Sequence, residues 1–403
     1  MTTKRLFLFT RRFPYFKTEA FLESEIAFLA ENFNEVIIIP TQVGDEIRQI
    51  PDNVKIDKNF SKEFQNKKKR ILLTIFSSFF WRALWDHKDK LKGIKSIKHI
   101  FHFSTNVVIY KHFFKSFNFS DDDILYTYWF AEAVKGLIDI RQSNSGSYKI
   151  ISRAHRYDIY EGMPATPEFW PYRKDVLSKI DQVFSISENG KKFLEEKYKI
   201  LDKVCVSKLG VFDKNKIAPH PSSESLNIVS VSRVDPMKRV GLIADCIVAY
   251  ASKHPGKNVV WTHFGDGVEL PLIKSKIPVL PNLTINLNGA VHNSKIYEYY
   301  GNNPVSLFIN LSNSEGIPVS IMEAQSFGIP AIATNVGGTG EIVITNKTGI
   351  LLTSNPKEED VINAINEILT NENFSREKVK CFWDKNYNAK LNYNEFLNLI
   401  SKI

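Results

Sequence analysis

The chain has 403 residues, of which 43% are hydrophobic and 24% charged, and its net charge is +9. This length suits two domains, and the composition excludes a disordered, fibrous or collagen-like chain. The three cysteines, Cys205, Cys246 and Cys381, form no Cys-x-x-Cys pattern, which favours a reducing, cytoplasmic setting. The N-terminus predicts a strand rather than a secretory signal, and the apolar runs are too short to predict a membrane-spanning helix.

Strands and helices alternate along the first half of the chain. Strands at 6–10 and 36–40 flank a helical pattern that begins near residue 19. The alternation resumes near residue 124 and continues to about residue 210. Near-continuous apolar strands separated by helices predict a parallel sheet that helices cover on both faces.

A polar stretch with prolines and serines at 212–225 predicts a linker, and a second α/β series follows it. The predicted fold class is α/β, with two Rossmann-like, doubly wound parallel-sheet domains facing a central cleft. The first domain is predicted over 1–212 and the second over 213–385. A last helix, at about 386–403, is predicted to pack back on the first domain.

The stretch NSEGIPVSIMEAQSFGIP follows a predicted strand of the second domain. Pro318 suits a first helical position and Gly328 the position after a helix end, so a helix is predicted over about 318–327. The free N–H groups at its start attract an anion such as phosphate. Glu315 precedes the helix and Glu323 lies inside it, a spacing that does not place both on one helical face. An extended ligand with a central phosphate, such as a nucleotide sugar, would reach both.

This stretch resembles the retaining family 4 glycosyltransferases of the GT-B type, which include bacterial enzymes of capsule, O-antigen and exopolysaccharide synthesis. The resemblance is continuous from about Asn227 to Gly349 and weaker toward both ends of the chain. It implies that Glu315 contacts the transferred sugar and that Glu323 binds the nucleotide ribose. It implies further donor-binding positions at Gly316, Ile317, Pro318, Val319 and Ser320. For a lone pair of glutamates, an ordinary loop residue and a solvated helix position would be the favoured interpretation.

Other second-domain motifs match the same family. Arg233 and Lys238 follow a strand and suit a diphosphate, although two solvated surface cations would look the same. The resemblance assigns both to the leaving diphosphate. It places Gly265 and Asp266 in the nucleotide loop and Val291 where the backbone meets the base. The motif VGGTGE leaves two interpretations open, flexible backbone near the phosphates or a plain turn before a helix.

In the first domain, His155 ends a predicted strand. A lone histidine is more often structural, but the resemblance implies that this one touches the donor sugar near its 6-position and supports catalysis. The Gly-Gly loop that many relatives carry after the first strand is absent. The pattern there resembles polysaccharide-assembling relatives instead. The acceptor-side candidates are Arg11, Tyr15 and Glu19 after the first strand, and Arg153, Arg156 and Asp158 around His155, where a salt-bridged loop is the alternative.

Residues 55–119 hold 15 Lys and Arg against four Asp and Glu, a net charge of +11, together with 14 of the 50 aromatic residues. This pattern is typical of an amphipathic helix at an anionic membrane surface. A helical subdomain with buried aromatics and solvated lysines is the alternative. No nucleic-acid partner is expected, since no binding motif accompanies the charge. No metal is expected either: the Asp-x-Asp at 121–123 precedes a strand, and no Cys/His cluster has zinc spacing.

The resulting hypothesis is a retaining glycosyltransferase. It would move a hexose or hexosamine from a nucleotide diphosphate sugar, with UDP favoured over GDP, to a hydroxyl of a lipid-linked glycan acceptor in surface polysaccharide assembly. It would work without a cofactor, in the cytoplasm at the inner face of the membrane. Two alternatives remain open. One is a non-catalytic partner of another glycosyltransferase, and the other is a phosphorylase or epimerase on the same fold.

Overall fold

The computed structural model describes residues 4–16, 18–19 and 21–403, which form two compact units. Unit 1 runs to Ser207 and also takes in Tyr393–Ile403, whereas unit 2 is Lys208–Asn392. The division at 207/208 therefore precedes the boundary predicted at 212/213.

Unit 1 contains one parallel sheet. Its strands are β1 (Arg5–Thr10), β2 (Glu35–Pro40), β3 (Val54–Ile56), β4 (Ile124–Thr127), β5 (Lys149–Ala154), β6 (Gln182–Ser185) and β7 (Val204–Val206). Their order is β3-β2-β1-β4-β5-β6-β7, and neighbouring strands are parallel. The run RLFLFT of β1 is buried from Leu6 onward, as expected for a strand covered on both faces.

The helices of unit 1 are α1 (Leu22–Asn32), α2 (Asn59–Gln65), α3 (Lys67–Ile75), α4 (Ser78–Asp86), α5 (Ile94–Phe114), α6 (Glu132–Asn144), α7 (Arg156–Ile159), α8 (Arg173–Lys179) and α9 (Glu188–Tyr198). The helix α1 begins three residues after the predicted start at residue 19, and it buries Leu22, Ile26 and Leu29 at helical spacing.

The basic segment at 55–119 folds mainly into α2–α5. Some of its aromatic side chains are buried, among them Phe60, Phe80, Phe103 and Phe114. Five large apolar side chains are instead between 56% and 84% exposed, and we call them the exposed apolar set: Leu72, Phe76, Trp81, Trp85 and Ile94. The helical subdomain is therefore present, and it also presents the exposed apolar side chains that the membrane interpretation requires.

Unit 2 contains a second parallel sheet, with strands β8 (Ser225–Val231), β9 (Asn258–Phe264), β10 (Leu283–Leu287), β11 (Leu307–Asn310), β12 (Ala331–Thr334) and β13 (Gly349–Leu352). Their order is β10-β9-β8-β11-β12-β13. Its helices are α10 (Val240–Lys253), α11 (Leu270–Lys276), α12 (Asn293–Asn302), α13 (Val319–Ser326), α14 (Thr339–Ile342), α15 (Glu358–Thr370) and α16 (Arg376–Tyr387).

The last helix, α17, spans Ala389–Ile400 rather than the predicted 386–403. It is separate from α16 because Asn388 has an extended backbone, with φ −72° and ψ 122°. From Tyr393 onward it belongs to unit 1, where the Phe396 ring packs at 4.9 Å from that of Phe184.

Each sheet reverses its strand order at one place. In unit 1 the chain moves outward from β1 through β2 to β3 and then returns to β4 on the other side of β1. In unit 2 the same reversal lies between β8 and β11. Ligands of doubly wound sheets bind beyond the carboxyl ends of the strands at such a switch point. Each unit therefore has one place where functional side chains are expected.

Candidate functional site

Lys238 and Glu315 meet at the switch point of unit 2. The Nζ atom of Lys238, in the loop after β8, lies 2.7 Å from Oε1 of Glu315, in the loop after β11. Asn310, the last residue of β11, donates a weaker hydrogen bond of 3.3 Å from Nδ2 to the same oxygen. The two charged side chains retain 19% and 10% exposure. The sequence-predicted sugar and diphosphate contacts are thus adjacent and reachable from solvent.

Two glycines hold the loop of Glu315. The Gly338 N–H donates to the Gly316 carbonyl at 2.7 Å. Gly337 has a φ of +54°, and a Cβ atom built on it would overlap the carbonyl oxygen of Glu315. Both the backbone conformation and the close approach therefore require glycine at position 337. VGGTGE thus forms the turn before α14, and this turn packs directly against the loop of Glu315.

Arg239 fixes the same region, a role that the sequence reasoning missed. Its Nε donates to the Leu311 carbonyl at 2.5 Å, and its Nη2 donates to the carbonyls of Ser312 at 3.1 Å and Ser354 at 2.9 Å. The backbone of Asn313 also donates to the Met237 carbonyl at 2.8 Å. These bonds tie the loop after β8 to the loop after β11, so Lys238 and Glu315 are held in register.

Glu323 lies inside α13, which begins one residue later than predicted and ends one residue earlier. Its Oε1 accepts hydrogen bonds from Asn293 Nδ2 at 2.9 Å and from the Tyr297 hydroxyl at 3.0 Å. Burial raises the pKa of Glu323 to about 7, although the hydrogen bond from Tyr297 acts in the opposite direction. Sequence reasoning missed both partners, which lie on α12, because their contact with Glu323 depends on tertiary packing.

Arg233 is the most solvated of the predicted diphosphate ligands. Its side chain is 74% exposed and forms a 3.1 Å ion pair with Asp235. Its loop packs against the glycine turn after β9, where the Val234 N–H donates to the Asp266 carbonyl at 2.9 Å. Gly265 has a φ of +142°, and a Cβ there would overlap the Ser232 carbonyl. Asp266 contributes to this turn through its backbone and also through its side chain, whose Oδ1 accepts a hydrogen bond from the Gly267 N–H at 2.7 Å.

Val291 lies beside a shallow cavity of 430 Å³ in unit 2. The other lining residues are mostly polar or aromatic: Thr262, Phe264, Asn286, Asn288, Lys295 and Tyr299. The sequence prediction placed the nucleotide base next to Val291. Amide and aromatic side chains are suitable neighbours for a base, and the position of the base beside Val291 stays a prediction.

In unit 1, His155 follows β5 and is 8% exposed. Its ring lies 4.6 Å from that of Tyr128 and 4.9 Å from that of Trp129, between centroids. Within the described part of the chain, neither ring nitrogen has a hydrogen-bond partner. Burial, reinforced by the positive charges of Arg153 and Arg11, lowers the pKa of His155 to about 3, so the imidazole is neutral at physiological pH.

Two of the acceptor-side candidates near His155 are structural. Arg153 is fully buried, with an Nη2–Oε2 ion pair of 3.1 Å to Glu25 and hydrogen bonds to the Tyr126 hydroxyl and the Ser207 carbonyl. Asp158 is fully buried too and accepts hydrogen bonds from the backbone N–H groups of His155 at 2.5 Å and Phe130 at 2.6 Å. These bonds fasten the turn after β5 and leave neither side chain exposed, which favours the salt-bridged loop named above as the alternative.

The candidates after β1 also differ among themselves. Tyr15 is fully buried and offers no surface to an acceptor. The Glu19 carboxylate accepts four hydrogen bonds of 2.6–3.0 Å, from the backbone N–H groups of Arg11, Arg12 and Phe13 and from the Trp129 indole. These four bonds hold the loop after β1 in place. Arg11 remains at a cavity, whereas Arg156 lies on the surface and donates to the Pro164 carbonyl.

Two kinds of site are absent from the described residues. No group of three or more His, Cys, Asp and Glu side chains is placed to hold a metal ion. None of the helices is both long enough and apolar enough to cross a bilayer.

The family model for glycosyl transferases group 1 matches residues 212–381, which lie in unit 2. An uncharacterized glycosyltransferase of Haemophilus influenzae is 25% identical over 187 residues, an alignment that covers 46% of this chain and 51% of that protein. The O-antigen biosynthesis glycosyltransferase WbnH of Escherichia coli is 26% identical over 256 residues, covering 62% of this chain and 67% of that protein. Residues 212–381 are therefore a glycosyl transferases group 1 domain.

The likeness to solved structures extends to both units. A lipopolysaccharide outer core galactosyltransferase, WaaB in its apo form, superposes with a TM-score of 0.69 over 99% of this chain and 100% of that one. The sequence identity is 15%, so the likeness is one of fold. It confirms the predicted fold class of two Rossmann-like, parallel-sheet domains of the GT-B type.

Proposed function

We propose that the protein is a retaining glycosyltransferase. It transfers a hexose or hexosamine from a nucleotide diphosphate sugar to a hydroxyl of a glycan acceptor in surface polysaccharide assembly. The observation that supports this most strongly is the adjacency of Lys238 and Glu315 at the switch point of unit 2, inside the matched domain. The same unit carries Arg233 and Glu323, which the resemblance assigns to the diphosphate and the ribose.

In the proposed reaction, the acceptor hydroxyl forms a bond to the anomeric carbon on the face from which the diphosphate leaves. The bond between that carbon and the diphosphate oxygen breaks, and this oxygen takes the acceptor's proton. Lys238 and Arg233 stabilise the negative charge that develops on the diphosphate, as preorganised charges do in low-dielectric sites. Glu315 holds the sugar and Glu323 the ribose, which keeps the reacting atoms aligned.

The loop architecture supports this assignment of roles. Lys238 and Glu315 are positioned by backbone hydrogen bonds and by Arg239, not by each other alone. Donors that are fixed before the substrate arrives cost little reorganisation in the transition state. His155 is the proposed sugar contact in unit 1, where its ring is neutral and both ring nitrogens are buried without a hydrogen-bond partner among the described residues. No step in this scheme uses a metal or another cofactor.

We further propose that the acceptor is lipid-linked and that the protein meets an anionic membrane surface through the basic segment. The exposed apolar set lies among lysines, one of which, Lys88, has its Nζ 4.6 Å from the Trp85 ring centroid. Exposed aromatics beside cations suit the interface of an anionic bilayer. Co-sedimentation with vesicles of phosphatidylcholine and phosphatidylglycerol tests this.

Phe76→Ser together with Trp85→Ser should reduce that sedimentation. The matched control is Leu272→Ser, which removes a similarly exposed apolar side chain from unit 2. Equal sedimentation of all three proteins would contradict the membrane proposal and leave the donor site untouched.

The first test of the proposed function is thermal unfolding in the presence of UDP, GDP or ADP. A ligand at 100 times its dissociation constant adds about 2.7 kcal/mol to the free energy of unfolding. We expect one nucleoside diphosphate, UDP first, to raise the melting temperature of the wild type but not of Lys238→Gln. A product with the same anomeric configuration as the donor, read by NMR, would then establish retention.

Other outcomes assign the protein to the alternative classes. No shift with any nucleotide would favour a non-catalytic partner of another glycosyltransferase. Sugar release that depends on inorganic phosphate would indicate a phosphorylase. Conversion of the donor sugar without an acceptor would indicate an epimerase.

A further inference from the structure

A cavity of 660 Å³ lies in unit 1 beyond the carboxyl ends of β1, β2 and β4, at the switch point of that sheet. The strand ends contribute Thr10, Thr41 and Thr127 to its wall. Helices of the basic segment complete the wall, with Arg70 from α3 and Asn106 from α5. The cavity therefore combines the ligand position of the fold with side chains from the segment that carries the excess positive charge.

Three arginines line this cavity: Arg11, Arg12 and Arg70. None of them forms an ion pair with a carboxylate within the described ranges of the chain. The Arg11 guanidinium carbon lies 4.9 Å from the ring centroid of Trp129 and 5.2 Å from that of Tyr157. Stacking fixes the plane of a guanidinium without using most of its N–H donors.

The other two arginines are also held in place by neutral groups. Arg12 donates from Nε to Gln42 Oε1 at 2.8 Å. Arg70 donates from Nη1 to Asn106 Oδ1 at 3.0 Å and lies 4.4 Å from the Phe64 ring centroid. Its Nε is buried without a hydrogen-bond partner in the described structure. Arg11 also forms a side-chain hydrogen bond with Tyr157. A guanidinium has five N–H donors, so most donors of the three arginines have no acceptor among the described residues.

Two carboxylates also line the cavity, and they differ in their hydrogen-bond partners. The four N–H donors around Glu19 already satisfy its oxygens. Burial alone would raise the pKa of Glu132, but a hydrogen bond from His102 and the charge of Arg11 lower it to about 2, so Glu132 is ionised. Three guanidinium groups thus share the cavity with two carboxylates, which leaves an excess of one positive charge.

We propose that this cavity binds a phosphoryl group of the acceptor, with Arg11, Arg12 and Arg70 as its hydrogen-bond donors. This rests on the proposed function, since only a transferase has an acceptor. Phosphoryl oxygens accept paired N–H bonds from the planar guanidinium fork, and a diphosphate needs more than one cation. Neighbouring residues of Arg70 on α3 are exposed apolar side chains, Ile71 and Leu72. The phosphoryl group therefore comes from a lipid-linked diphosphate or from a sugar phosphate.

Calorimetric titration distinguishes these sources. Geranyl diphosphate represents the lipid diphosphate and geraniol its neutral counterpart, both in the same detergent. Glucose 6-phosphate represents the sugar phosphate, with glucose and glucuronate as its neutral and carboxylate counterparts. We expect one phosphorylated probe to bind at least about tenfold more tightly than its counterparts, since hydrogen bonds to charged groups exceed the roughly 1.4 kcal/mol that a factor of ten requires. The tighter of the two identifies the source.

Arg70→Gln should weaken that binding by about tenfold or more. Arg82→Gln is the matched control, because it removes one exposed arginine from the same basic segment but outside the cavity. Equal weakening by both variants would overturn the proposal in favour of diffuse electrostatic attraction. Binding of geraniol, glucose or glucuronate as tight as that of the phosphorylated probe would overturn it as well. If the melting temperature of Arg70→Gln falls, Arg12→Gln, at an exposed residue, replaces it.

The Lys238→Gln variant separates this proposal from the proposed function. A phosphorylated probe that still binds Lys238→Gln but not Arg70→Gln occupies the cavity of unit 1. The reverse pattern would place the probe at the donor site and overturn the cavity assignment. Absence of any nucleoside diphosphate response in the wild type, with probe binding retained, would overturn the proposed donor role alone.

Discussion

Two ion pairs in this protein have similar chemistry but different surroundings. Lys238 and Glu315 are 2.7 Å apart and keep 19% and 10% of their side-chain surface exposed. Arg153 and Glu25 are 3.1 Å apart and keep 0% and 1%. The first pair lies on loops that the backbone holds open at a switch point, whereas the second is enclosed by Tyr126, Ser207 and Phe396. The difference teaches that the exposure left after folding, not the residue type, decides which pair a ligand can reach.

The largest expected effect concerns the buried pair. Arg153→Met removes the cation and leaves Glu25 buried with only the Tyr126 hydroxyl as partner. Breaking a buried pair in this way costs about 3–5 kcal/mol. Urea denaturation should therefore show a destabilisation of that order.

A double variant completes this test. Replacing Glu25 by Leu in the Arg153→Met background removes the uncompensated charge, so it should restore much of the lost stability. If the single variant retains wild-type stability, the pair does not hold unit 1 together, and Arg153 returns as a candidate ligand.

The accessible pair should show its effect in turnover. Lys238→Gln keeps a hydrogen-bond donor for Glu315 but removes the charge proposed to stabilise the leaving diphosphate. Loss of such a preorganised group costs about 10²–10³-fold in turnover. Lys253→Gln is the control, since Lys253 is an exposed lysine at the end of α10. Turnover within a few-fold of wild type in Lys238→Gln would contradict the proposed mechanism.

Glu323 is a further buried carboxyl group, and it should make the stability of the fold depend on pH. Its folded-state pKa of about 7 lies above the usual value for a glutamate, because burial disfavours the carboxylate. A raised carboxyl pKa stabilises the fold at low pH, and that stability is lost as the pH rises through the folded-state value. From pH 5 to pH 8 the free energy of unfolding should fall by roughly 2 kcal/mol on account of this group.

The Glu323→Gln variant removes this titration. Its free energy of unfolding should vary correspondingly less between pH 5 and pH 8 than that of the wild type, as measured by urea denaturation at each pH. Identical pH profiles for the two proteins would show that Glu323 is already ionised throughout this range.

The sequence was sufficient for the fold class and for the region of the donor site. These predictions rest on local signals: apolar strands that alternate with helices, Pro318 and Gly328 at the helix ends, and the glycine turns. Each signal acts on the backbone of its own segment in the structure. The helix α13 came within one residue of its predicted ends for this reason. The domain boundary and the start of α17 were less exact, because a linker composition does not specify which residues pack on which unit.

Side-chain roles in unit 1 could not be predicted in the same way. Arg153, Asp158 and Glu19 have the residue types of a ligand site, but their partners come from positions far away in the sequence or from backbone N–H groups. The contacts of Asn293 and Tyr297 with Glu323, and the position of Arg70 at the cavity, could not be predicted. They depend on tertiary packing, which brings together residues that carry no motif of their own. Which polar side chains already have hydrogen-bond partners is decided only when the chain folds.

The smallest effect is expected at Tyr15, a predicted acceptor contact that the structure buries completely. Its hydroxyl has no hydrogen-bond partner in the described structure, so Tyr15→Phe removes an unsatisfied polar group and nothing else. The free energy of unfolding should stay the same or rise by at most about 1 kcal/mol, and turnover should not change. Acceptor titrations with the two proteins measure this directly. A higher KM for the acceptor in Tyr15→Phe, at unchanged stability, would mean that this hydroxyl reaches a ligand and that burial alone does not exclude a residue from the site.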